Sequence, residues 1–244
     1  MNASLETSFT PESNEADEAN LLYALMLMTL ASGFVDAVSY LELGHVFTAN
    51  MTGNVVLLGF ALAGAPRLSV ARHLVSLLAF LLGGVIGGRL ELARSATDRR
   101  GYFLMEAAVE AILLCVGALA CLRANTVGGP SAIRLYVAIA ATALAMGLRS
   151  ATVHRLAVLD ISTTTVITSI LAAFAADSSL AGGSNVRVGR RVGSVLSMLA
   201  GAAIGTLLLR FGPAVPLIIG AVLVLAAGFA YEIWPRPIRE GSGK

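Results

Sequence analysis

The sequence predicts an all-α, polytopic helical membrane protein with about six full spans, two short broken or re-entrant helices and an internal, inverted repeat. Three observations carry this. Of 244 residues, 57% are hydrophobic and only 13% charged, about half the roughly 25% usual in a soluble domain. Six apolar runs reach the ~20 residues a helix needs to cross a hydrocarbon core about 30 Å thick. The same residue spacings also recur in the two halves of the chain. A soluble fold would need a charged surface that is missing here. Nucleic-acid binding is disfavoured, because the net charge is only +2 and the arginines sit in short clusters between apolar runs.

The elements follow in order. Residues 1–19 carry Glu6, Glu12, Glu15, Asp17 and Glu18 and no basic residue. They read as a disordered acidic tail with no cleaved signal, which would need a positive start. Residues 20–234 form one transmembrane domain of two repeats, about 20–125 and 130–234, and 235–244 are a short tail. The full spans fall near 20–42, 69–92, 102–122, 132–155, 189–210 and 214–233. Segments 46–65 and 161–176 are shorter and polar, and such segments at membrane depth mark interior sites. Cys115 and Cys121 lie six apart in one apolar run, point to different sides of a helix, and read as packing residues without disulfide or metal.

The repeat rests on three alignments. A shift of 118 pairs Arg72 with Arg190, Ser76 with Ser194, Gly83 with Gly201 and Gly87 with Gly205. A shift of 114 pairs Gly33-x-x-Asp36-Ala37 with Gly147-x-x-Ser150-Ala151, and a shift of 116 pairs Thr48 and Thr52 with Thr164 and Thr168. If all eight segments crossed, the basic residues would divide seven against ten; with the two short segments not crossing, they divide twelve against five. Only the second satisfies the positive-inside rule. It gives six spans, both termini cytoplasmic, and repeats inverted because each contains three spans. Seven spans, with one short segment crossing, is the competing topology.

Polar residues at membrane depth are the candidate functional residues. Asp36 follows fifteen uncharged residues from Leu21 onward, a costly place for a carboxylate. It reads either as an ion or proton site or as half of a structural pair, with Arg149, in the equivalent stretch of the second repeat, as the expected partner. Glu110 is expected near the midplane as a proton-carrying group. Glu106, one turn earlier, is expected near the interface, paired with Arg99 or Arg100. His45 and His154 read as junctional. The stretch Thr48-Ala49-Asn50-Met51-Thr52-Gly53-Asn54 offers amides and hydroxyls, and Thr163-Thr164-Thr165 with Thr168 offers a second hydroxyl surface. Together Asn50, Thr52, Asn54, Thr164, Thr165 and Thr168 would line a midplane site for a small solute or ion, and hydrogen bonding between helices is the competing account. Gly83/Gly87, Gly84/Gly88 and Gly201/Gly205 read as small-xxx-small packing pairs. No phosphate loop, nucleophile elbow or zinc motif is present, so no enzyme class, cofactor or metal is indicated.

Gly33-Phe34-Val35-Asp36-Ala37, followed by Val46-Phe47 and Asn50-Met51-Thr52-Gly53-Asn54, resembles the YoaK-like family of bacterial membrane proteins, domain of unknown function 1275. The resemblance covers roughly residues 20–235. Where the second half of the family pattern has Gly-Met-Gln-Asn-Ala, this chain has Gly147-Leu148-Arg149-Ser150-Ala151. The resemblance implies an inner-membrane location and supplies no substrate. A small secondary transporter or permease is the leading expectation, with the bilayer and a small solute or ion as partners and a homo-oligomer left open. A non-transporting, partner-binding membrane protein is the alternative.

Overall fold

The computed structural model describes residues 11–93, 99–122, 132–155 and 188–233. Among them are seven α-helices and no strand: α1 Pro11–Leu41, α2 Met51–Leu62, α3 Val70–Ala93, α4 Arg99–Leu122, α5 Ala132–Arg155, α6 Val188–Leu208 and α7 Ala214–Ile233. All but α2 are long and apolar enough to cross a membrane. With 12 residues, α2 is about 18 Å long, too short to do so.

Four helices form the core. α4 packs against α5 and α7, and α7 against α1. Their inward residues recur every three or four positions: Leu21, Leu25, Met28, Ala31, Val35 and Val38 on α1; Phe103, Ala107, Ala111, Leu114, Ala118 and Cys121 on α4; Leu217, Ala221, Val224, Ala227 and Tyr231 on α7. This is the spacing of a helix seam, and the many alanines let backbones approach closely, as close packing in lipid requires. Cys121 is buried and Cys115 exposed, as their six-residue separation dictates.

α3 and α6 lie outside this core, α3 against α5 and α6 against α1. Their outward faces are apolar and exposed, with Leu78, Leu81 and Leu82 on one and Leu196, Leu199 and Leu207 on the other. Each is therefore held by a helix of the other repeat, and glycines make both crossings. A Cβ at Gly83 would strike the Leu144 carbonyl oxygen, and one at Gly201 the Leu30 oxygen. A Cβ at Gly147 would strike the Phe80 oxygen, and one at Gly33 would come within 2.7 Å of the Met198 oxygen. A Cβ at Gly87 would meet Leu148 and Ala151, and one at Gly205 would meet Phe34 and Ala37. In every case the two partners are related by the spacings of 114 or 118 read from the sequence. Gly84 and Gly88 differ: nothing lies nearer than 3.8 Å to a Cβ at the first, or within 4 Å of one at the second. The expected packing role fails for this pair because α5 crosses α3 along the Gly83/Gly87 face.

The contacts also set direction. Along α3 and α5 the touching positions rise together, and so they do along α1 and α6; α4 and α7 run opposite, Gly228 facing Ala107 while Gly117 faces Leu217. α4 is likewise antiparallel to α5, since Glu110 meets Arg149 while Tyr102 meets Thr152. The six long helices therefore alternate in direction. α1 and its equivalent α5 are antiparallel, the repeats are inverted, and the start of α1 and the end of α7 lie at the same end of the bundle.

Candidate functional site

Two buried polar clusters stand out among the described residues. The first forms where the chain turns back into it after α1. Past Leu41, Gly44 and His45 take left-handed backbone angles, φ +90° and +61°, and reverse the chain. Gly44 suits that angle, and a Cβ there would push aside the end of the Arg72 side chain. The reversal is held from inside: Asp36 Oδ1 accepts the backbone N–H groups of Ala49 at 2.9 Å and Thr48 at 3.4 Å. Asp36 lies five residues before the end of α1, so residues 48–49 are pulled about 7 Å into the bundle. α2 starts at this depth, capped by Asn50, whose Oδ1 accepts the Gly53 N–H at 3.2 Å. It then rises antiparallel to α3, which makes 42–62 a re-entrant segment.

α3 supplies the other wall. Ser76 Oγ donates to the Phe47 carbonyl at 2.7 Å, and Asn54 Nδ2 to the His73 carbonyl at 3.3 Å. The His73 Nδ1 lies 2.7 Å from the Ser69 carbonyl oxygen. A carbonyl only accepts, so Nδ1 carries the proton, and on a neutral ring Nε2 is then an acceptor. His73 Nε2, Asn54 Oδ1 and Thr48 Oγ1 are all buried and have no hydrogen-bond partner among the described residues. Such orphans are rare and call for an explanation.

The second cluster lies between α1, α4 and α5. Arg149, 1% exposed, makes a two-pronged pair with Glu110, Nε to Oε2 at 2.8 Å and Nη2 to Oε1. Its Nη1 donates to the Met28 carbonyl oxygen and, at 2.5 Å, to Ser32 Oγ of α1. Glu106, one turn from Glu110 and 1% exposed, has no hydrogen-bond partner for either carboxylate oxygen among the described residues, although the charge of Arg149 reaches it.

The expected pair of Asp36 with Arg149 is thus replaced by Glu110 with Arg149. Inversion is the reason: equivalent positions near the C-terminal ends of antiparallel α1 and α5 lie toward opposite ends of the bundle. The expected pairing of Glu106 with Arg99 or Arg100 is not formed as a hydrogen bond among the described residues: Arg100 stacks over the Tyr231 ring, 5.1 Å from its centroid, while Glu106 points into the core. Glu110, expected to carry a proton, is the ion-paired member. Asn50 and Asn54 belong to the first cluster, whereas Thr52 is exposed on the outer face of α2. Thr164, Thr165 and Thr168 lie outside the described residues. His73 escaped the sequence reading. Its signal was an ionisable residue inside the apolar run that begins near residue 69.

This architecture defines a class: a polytopic helical membrane protein of interlocked inverted repeats with a re-entrant segment. Residues 24–230 match the family profile described as "Protein of unknown function (DUF1275)", and the chain belongs to that family. It is 35% identical over 155 residues to "UPF0700 transmembrane protein YoaK" of Bacillus subtilis (strain 168), an alignment covering 64% of this chain and 66% of that protein. No solved structure matches the chain.

Proposed function

We propose that this protein is a small secondary carrier for a polar solute bearing hydrogen-bond donors, with the foot of α2 as the binding site. The observation that carries the reading is the set of three buried, unpartnered groups there, His73 Nε2, Asn54 Oδ1 and Thr48 Oγ1. Two are acceptors and the third accepts as readily as it donates, so a ligand supplying N–H or O–H groups satisfies all three. Inverted repeats and a discontinuous segment at membrane depth support the same reading, since carriers bind at such segments and rock one repeat against the other. The reading includes an inner-membrane location with both termini cytoplasmic, because among the described residues, the buried Arg149 aside, the end shared by the start of α1 and the end of α7 carries Arg89, Arg99, Arg100, Arg155, Arg190 and Arg191, against Arg67, Arg72, Arg134 and Arg210 at the other.

The test uses a protein with Cys115 and Cys121 replaced by Ala and a single cysteine at 54 or 73. A small water-soluble thiol reagent should modify it from at least one side of a sealed vesicle, and an uncharged donor-rich solute that is carried should protect it. Complete inertness of both positions in the folded protein would rule out a pathway through this site.

A further inference from the structure

Beyond the solute site, we propose that Glu106 is a proton-binding site, and that it shares Arg149 with Glu110 as a two-state switch at the contact between the repeats. The argument starts from the donors Arg149 can offer. Two of its nitrogens are bound by Glu110 and the third by Met28 and Ser32. One cation thus neutralises one carboxylate, and Glu106 is left fully buried with neither a donor nor a counter-charge of its own. An ionised carboxylate in that position would be a bare charge in an apolar medium, and buried groups of this kind neutralise instead. The neutral acid needs one proton, and that proton is the ligand.

The surroundings leave Arg149 as its one electrical partner. α5 brings Arg149; its other described charged or titratable residues are Arg134 and Tyr136, near the opposite end, and the exposed His154 and the terminal Arg155. α7 brings only Tyr231 and Glu232 at its end, where Tyr231 packs against Phe103 and Arg100. On α4 itself, Glu110 stands four residues on and the buried Tyr102 four residues back, on the same face, the Tyr102 hydroxyl being held by the Gly87 carbonyl and Thr152; Arg99 and Arg100 begin the helix, Arg100 lying over Tyr231. When Glu106 releases its proton, two carboxylates one turn apart compete for one guanidinium. Movement of Arg149 toward Glu106 loosens its grip on Met28 and Ser32, and that grip joins α5 of one repeat to α1 of the other. Proton binding and the packing of the two repeats are thereby linked, whether or not a solute is carried.

Infrared difference spectroscopy of the full-length protein in lipid nanodiscs tests this, with Asp36→Asn present throughout so that the other buried carboxyl without a counter-charge gives no band, and the pH raised from about 6, where carboxyls near the ordinary values of about 4 are already ionised. The Asp36→Asn parent should lose a protonated-carboxyl stretching band as pH rises. In Glu106→Gln that band should be absent. In Glu110→Gln it should also be absent, because Glu106 then ionises and takes Arg149, and this variant should stay folded where the Glu106→Gln/Glu110→Gln double variant does not. A band that survives in Glu106→Gln or in Glu110→Gln, or a parent without one, overturns the proposal. If Glu106→Gln does not fold, Glu106→Met replaces it, and failure of both overturns it as well, since a neutral side chain would then not substitute for the acid.

Discussion

Adding one methyl group to Gly33 tests the interlocked packing of the repeats directly. A Cβ there would sit 2.7 Å from the Met198 oxygen and 2.5 Å from the Ala202 nitrogen. A carbon rests about 3.3–3.6 Å from an oxygen even in a close Cα–H contact, so Gly33→Ala forces α1 and α6 apart by at least ~0.6 Å. Both contacting atoms belong to helix backbone, which cannot swing aside as a side chain would. Overpacking of this kind costs about 1–3 kcal/mol. Gly88→Ala is the matched control: it gains the same helix propensity, about 1 kcal/mol, and its Cβ meets nothing within 4 Å. Reversible unfolding in mixed micelles should therefore show Gly88→Ala neutral or stabilised and Gly33→Ala less stable than it by about 1–3 kcal/mol. Gly147→Ala, the equivalent change at the α3 and α5 crossing, should match Gly33→Ala. Equal stability of Gly33→Ala and Gly88→Ala, or a loss at only one of the two crossings, would refute the argument.

Three further outcomes are expected. Arg149→Met strands Glu110 in the core and should cost about 3–5 kcal/mol, most of which Arg149→Met/Glu110→Met should restore, since a buried pair replaced whole by apolar residues is close to neutral; a double-mutant cycle by denaturant unfolding measures this. Asp36→Ala frees two backbone N–H groups, so hydrogen exchange at Thr48 and Ala49 should accelerate, by a factor corresponding to about 1–3 kcal/mol for each donor left unsatisfied; Asp36→Asn, which keeps an acceptor, should change it less. Asn54→Leu and His73→Leu fill the foot of α2 with apolar atoms and should leave the fold intact while abolishing any solute-dependent rise in melting temperature, as a ligand that binds only the folded state must produce one.

Apolar run length and glycine spacing make the six spans and the repeat legible in the sequence, because both properties are local and periodic. The re-entrant character of 42–62 was also readable, since polar Asn50 and Asn54 and a helix too short to cross stand between two full spans. What the residues did not reveal was pairing across the bundle. Asp36 and Arg149 look like counterparts along the chain, and only the antiparallel course of α1 and α5 shows that they face opposite ends. Glu106 and Glu110 present the same face of α4, so no periodicity distinguishes them. Their different fates depend on which one Arg149 reaches from α5. His73 was hidden for a similar reason: its significance lies in a ring whose Nδ1 is engaged by Ser69 and whose Nε2 is buried without a partner among the described residues, beside a backbone carbonyl that holds Asn54, nineteen residues earlier.

The crossings that join each outer helix to the other half of the chain also bear on how the protein is made. Gly33 is synthesised 168 residues before its partner Gly201. At about 5–20 residues per second, α1 therefore waits roughly 8–34 s in the bilayer with its glycine notch filled only by lipid. Neither half can complete its own contacts, so a ribosome that stalls after α4 leaves α1 without α6 and α7, and α3 without α5. The groove at Gly33 is thus a surface that closes only when the second half of the chain has been inserted.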